Sequence, residues 1–102
     1  MGAEPVPTAE SSGQLVLYRP RSLATGLARR IHIYLDDNQV ADLENGGTAC
    51  VAASAGPHML RARCRPMGGA EVPFILADRE TLRAQIYVDT LEDVRIELDP
   101  IP

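Results

Sequence analysis

Apolar residues in this chain recur at every second position in short runs, and no long helical period competes with that alternation. The segment Arg30–Asp36 places Ile31, Ile33 and Leu35 on one side, with His32 and Tyr34 on the other, as a half-buried strand requires. Gln39–Leu43 continues through Val40 and ends on Leu43, two or three residues after the previous run, which is hairpin spacing. Thr48–Ser54 and His58–Arg65 flank Ala55-Gly56-Pro57 and predict a second hairpin. Within it Leu60, Ala62 and Cys64 oppose Arg61, Arg63 and Arg65. Glu71–Ala77 is short and apolar, and Pro73 marks it as an edge or a bulge, because proline donates no ladder hydrogen bond. Thr81–Asp89 aligns Leu82, Ala84, Ile86 and Val88, and Asp93–Asp99 aligns Val94, Ile96 and Leu98 before Pro100. Gln14–Arg19 is the first such run and stops at Pro20. The apolar fragment Leu23–Arg30 is short and interrupted by Gly26, which predicts a loop or single turn.

Short strands at roughly ten-residue spacing, with turn residues between them, predict an all-β fold. The expectation is an immunoglobulin-like or prealbumin-like antiparallel β-sandwich of seven to eight strands, in one domain over residues 14–100. Residues 1–13, rich in Pro, Glu, Ser and Gly, read as a disordered tether.

Composition removes several function classes. The 102 residues carry a formal charge of −4, against a dedicated nucleic-acid binder, which needs a net basic face. All 10 basic residues are arginine, so no lysine is present to form a Schiff base. The 2 cysteines, Cys50 and Cys64, are too few for a disulfide scaffold or a four-cysteine zinc site. If they lie on paired strands, the loop around Gly56 decides whether they share a face, and the loop sequence leaves that open. No run approaches the ~20 apolar residues of a membrane span, and residues 1–14 lack a signal-peptide pattern.

The candidate chemistry is sparse. Asp36-Asp37-Asn38 and Glu44-Asn45-Gly46-Gly47 are residue types shared by metal loops, ligand rims and plain turns. A calcium loop needs ligands at regular intervals and a central glycine, yet Val40 follows Asn38 and no glycine is in place. Two turns around one short strand is the simpler reading, and a shared ligand or carbohydrate rim over Asp36, Asp37, Asn38, Glu44 and Asn45 is the alternative. The histidines His32 and His58 lack close zinc-ligand spacing to either cysteine, so His32 reads as a surface residue and His58 as a turn residue. Arg61, Arg63 and Arg65 suggest an anion site, or pairing with acids such as Glu71 or Asp89. No nucleophile elbow, phosphate loop or distinctive carboxylate pair appears, so no enzyme, metal or cofactor is expected. The expected mode of action is protein contact or self-association through Phe74, Ile75 and Leu76, since neighbouring apolar residues cannot all face inward in a regular strand.

The motifs "LVLYRP", "HIYLDDNQVADLENGGT" and "AGPH" resemble a bacterial domain-of-unknown-function family of small envelope lipoproteins, related to PEGA-like β-sandwich domains. The resemblance runs from Leu15 to Leu98 through a Tyr-Arg-Pro strand, an Asp-Gly-type hairpin, an Asn-Gly turn and a Pro-Gly-x-His-type turn. Asp37-Asn38 stands in place of Asp-Gly, Thr48 in place of Tyr, and "AGPH" inverts the Pro-Gly order. The resemblance implies a sandwich in a periplasmic or outer-membrane setting and brings no catalytic motif. The cysteine of a lipobox is absent, so no lipid anchor is expected on this chain.

Overall fold

A computed structural model describes residues 12–21, 30–64, 68–88 and 94–101 of the chain. They form eight strands: β1 (Ser12–Tyr18), β2 (Ile31–Leu35), β3 (Asn38–Leu43), β4 (Thr48–Ser54), β5 (Gly56–Cys64), β6 (Gly68–Leu76), β7 (Thr81–Val88) and β8 (Val94–Pro100). Two four-stranded sheets, ordered β4-β1-β7-β8 and β3-β2-β5-β6, pack into a β-sandwich. The period-two pattern is the cause: Leu15 and Leu17, Ile31 and Ile33, Leu60 and Ala62, and Ala84 and Ile86 are all 0% exposed and meet between the sheets. All pairings are antiparallel except β1 with β7, which run parallel.

The β2–β3 hairpin forms as its spacing predicts, with Asp36 and Asp37 as its two central residues at φ 51° and 72°. Positive φ at both positions is the requirement of a type I′ turn, which suits the twist of paired strands. Val40 and Leu43 have opposite parity, yet both pack on the core. A β-bulge resolves this: the register shifts between Ile33 and Tyr34, so Val40 is the extra residue.

The second predicted hairpin does not form. β4 pairs with β1 in one sheet, whereas β5 pairs with β2 and β6 in the other. Gly56, at φ 122°, lies just beyond the bend at Ala55, and the chain crosses between sheets there instead of folding back. Cys50 and Cys64 therefore lie in opposite sheets, one exposed and one buried, and no disulfide joins them. The start of β1 also departs from expectation, because Ser12 and Gly13 pair with Ser54 and Ala53 and belong to the sandwich. Of the predicted tether, residues 1–11 lie outside the described residues, as do residues 23–29 of the predicted loop, Arg65 and Asp89.

Candidate functional site

The two turns proposed as one ligand rim are separated by the whole of β3. Asp36-Asp37 precedes Asn38 and Glu44 follows Leu43, so the strand holds them at opposite ends of the sandwich. A six-residue strand spans about 20 Å, so Asp36, Asp37 and Asn38 cannot share a small ligand with Glu44 and Asn45. Each turn instead takes part in its own structural clamp.

At one end His58 occupies an inward position, with the same parity as Leu60, Ala62 and Cys64. Its side chain is only 8% exposed and its ring stacks on Phe74 with centroids 5.4 Å apart. The Nδ1 nitrogen donates to Asp36 Oδ2 at 2.5 Å, and Nε2 donates to the Ser54 carbonyl at 2.7 Å. Asp36 Oδ1 accepts the Met59 N–H at 2.8 Å, while the Asp36 N–H donates to the Met59 carbonyl. One histidine thus ties the β2–β3 turn to the corner between β4 and β5. Burial pulls the His58 pKa down, but the hydrogen bond to Asp36, the Ser54 carbonyl and the Asp36 charge outweigh it and raise the value. The His58 and Met59 hydrogen bonds in turn hold Asp36 below its ordinary value.

Asp36, His58 and Ser54 are the residue types of a nucleophilic triad, and here they link the β2–β3 turn to the corner before β5. Ser54 Oγ is 3.5 Å from Nε2, which directs its proton to the closer carbonyl of the same residue. Nε2 lies closer to the Ser54 carbonyl, at 2.7 Å, than to the Ser54 hydroxyl. The arrangement fastens backbone segments.

The opposite end is held by Arg19, which is 2% exposed at the end of β1. Its Nη1 donates to the Leu43 carbonyl at 3.0 Å and its backbone N–H to the Gly47 carbonyl at 2.9 Å. Burial lowers the guanidinium pKa from its ordinary value, with Cys64 acting in the opposite direction. The adjoining Glu44–Gly47 turn closes through a Gly47 N–H to Glu44 carbonyl bond of 2.8 Å, with Gly46 at φ 81°. Neither clamp was read from the sequence, although a parity signal was present for both. Arg19 shares the phase of Leu15 and Leu17, and His58 that of Leu60.

On the outer face of the second sheet, His32 Nδ1 lies 2.5 Å from Asp42 Oδ1, which also accepts a bond from Gln39 at 2.6 Å. The His32 bond, opposed by burial, leads the causes that lower the Asp42 pKa. Farther along, Arg61 and Arg63 border a shallow depression of about 370 Å³ with Gly69 and Glu71. Arg61 is shared between Asp37 at 3.3 Å and Glu71 at 3.7 Å, so the anticipated pairing with Glu71 is present. Such exposed ion pairs contribute little net stability.

The predicted contact edge divides by parity. Phe74 and Leu76 are core residues at 8% and 1% exposure, whereas Ile75 is 75% exposed. The apolar contact is therefore not Phe74-Ile75-Leu76 along the strand but a cross-strand group. Ile75 stands opposite Pro57 and Pro73 opposite Met59, all on the outer face of β5 and β6. Ile75, Pro57 and Pro73 are exposed and Met59 is half-buried.

Among the described residues no three His, Cys, Asp or Glu side chains gather where they could hold a metal ion. No helix among them is long and apolar enough to cross a membrane. No family model matches the chain, and no curated protein matches it.

Proposed function

We propose that this chain is a non-catalytic β-sandwich module that works by protein contact, through the outer face of β5 and β6. The observation that carries the reading is the cross-strand group Pro57, Met59, Pro73 and Ile75. Two prolines and an isoleucine standing in solvent beside the charged pair Arg61 and Glu71 make an apolar centre with a polar border, the usual composition of a contact surface. Both prolines are rigid, so little side-chain entropy is lost when a partner covers them.

A periplasmic or outer-membrane setting and kinship with PEGA-like modules are the second part of the proposal. They are supported by the motif resemblance and by the roles its residues take. Arg19 of the Tyr-Arg-Pro motif and His58 of the Gly-Pro-His turn are the two end clamps, as a fold-defining motif would require.

A photoreactive amino acid at position 75, compared with one at position 97 on the other sheet, tests the contact. Discrete adducts in cells are expected from 75 and none from 97. Equal labelling from both positions, or none from 75, would sink the proposal.

A further inference from the structure

The sandwich has four edge strands, β4 and β8 in one sheet and β3 and β6 in the other. An edge strand presents unpaired backbone groups that invite another strand, and proteins block this with charge, proline or bulges. Three of the four are blocked. β3 carries the bulge at Val40 and the charge of Asp42. β8 carries Arg95, Glu97 and Asp99 on its outer side and ends at Pro100. β6 carries Glu71 and Pro73. Both backbone groups of Met59 bond toward Asp36, away from β6, so Pro73 opposite it faces the open edge and removes a donor there.

β4 has none of these devices. Its seven residues, Thr48–Ser54, contain no charge, no proline and no bulge, and they pair with β1 in unbroken register. The direction of its free groups follows from β1. Gln14 donates its N–H toward Glu80 and Ser12 accepts from Arg79, both on the β7 side, whereas Arg19 donates toward Gly47 on the β4 side. Odd residues of β1 therefore bond to β4, and their partners there are Ala49, Val51 and Ala53. Thr48, Cys50 and Ala52 direct N–H and C=O to the open edge, and all three side chains are exposed. The carbonyl of Ser54 is already taken by His58.

We infer that β4 is the pairing edge for a second copy of this chain, joined antiparallel about a two-fold axis. The occupant follows from charge. Two copies of β4 meet with no like charge opposed, whereas a self-paired β8 or β6 sets acidic side chains near one another. A register with Cys50 opposite its own copy pairs Thr48 with Ala52, satisfies all three free residues through about six hydrogen bonds, and leaves Ser54 to His58. The first sheet then continues through both copies as one eight-stranded sheet. The edge is separate from the Ile75 surface, which lies on the other sheet.

Sedimentation equilibrium from micromolar to millimolar concentration tests the inference. The wild-type mass should climb toward that of a dimer. Ala52→Pro should remain monomeric while keeping its β spectrum, because the N–H it deletes faces the open edge and not β1. Cys50→Lys, which opposes two cations in the proposed register, should also remain monomeric, whereas Ile75→Glu should dimerise like wild type. With diamide taking up two protons and two electrons, Cys50 should bond to its copy, since directly opposed residues bring Cα atoms to about 5.5 Å. A wild type monomeric at millimolar concentration would overturn the inference, as would a dimer unaffected by both β4 variants. A dimer lost in Ile75→Glu would move self-association to the other sheet, and a dimer without the Cys50 crosslink would refute the register.

Discussion

At the scale of single residues, the positions with most structural consequence are those whose side chain or backbone has no alternative. An ideal Cβ on Gly13 would lie 2.4 Å from the Glu80 carbonyl oxygen and 3.1 Å from Leu76, so β1 and the turn before β7 meet only because this residue has no side chain. Gly13→Ala should lower unfolding stability by roughly 1–3 kcal/mol, measured by denaturant titration; an unchanged midpoint would show that the contact relaxes freely. His58 makes stability depend on pH in a definite direction. Its folded pKa is raised, so its contribution is complete below the unfolded value of about 6.5 and is lost as pH climbs through the folded value. The pKa of Asp36 is lowered, so its contribution is present above about 3.9 and is lost as pH falls through the folded value. The clamp is strongest between about pH 4 and 6.5. Above that window a neutral ring has one proton for two acceptors, Asp36 and the Ser54 carbonyl. The melting temperature of wild type should decline from about pH 6 to 8.5, and His58→Gln should be less stable and flatter over that range. Parallel curves for the two proteins would remove His58 as the cause.

At the scale of elements, β6 shows how alternation separates stability from contact. Phe74 lies against the core and the His58 ring, while its neighbour Ile75 stands in solvent. Phe74→Ala should cost about 3–5 kcal/mol through the cavity it leaves. Ile75→Ala should stay within about 0.5 kcal/mol. Chemical denaturation of the two variants measures both, and a large loss at Ile75 would mean that its side chain is covered. The elements also show where periodicity was sufficient. The β2–β3 hairpin was legible because Asp36-Asp37 is turn chemistry between two short apolar runs. The partner of β4 was not, because Thr48–Ser54 and Gly56–Cys64 look the same whether they fold back or cross to the facing sheet.

For the whole molecule, that crossing sets the environment of the two thiols. Cys50 lies on the outer face of one sheet and Cys64 at the core of the other. In native protein at low concentration one thiol should react rapidly with a disulfide reagent, and a second should appear only on unfolding. Two rapid thiols would place Cys64 at the surface, and no reactive thiol in denatured protein would reveal a disulfide. The clamps are likewise whole-molecule features. Arg19 extends from the sheet of β1 to a carbonyl of β3, and His58 in β5 binds the carbonyl of Ser54 in β4. Each fastens the two sheets where hydrophobic packing gives out at an end of the sandwich.

Alternation alone determined the fold class and the approximate place of the strands, because a period of two leaves only one face for apolar side chains to bury. Pro73 marked its run as an edge or a bulge, and β6 is an edge strand, since a missing donor has one tolerable direction. Strand order lay beyond alternation, because pairing depends on which backbones lie side by side, and Gly56 permits a corner as readily as a hairpin. Gly13 appeared to be part of a polar tether because its importance comes from a carbonyl 67 residues later. The anticipated rim separated for a related reason, since residues close in sequence are held apart by an extended strand. Asp36 meets His58, 22 residues later, and the nearby Ser54 carbonyl because the hairpin and the corner end at the same edge of the core.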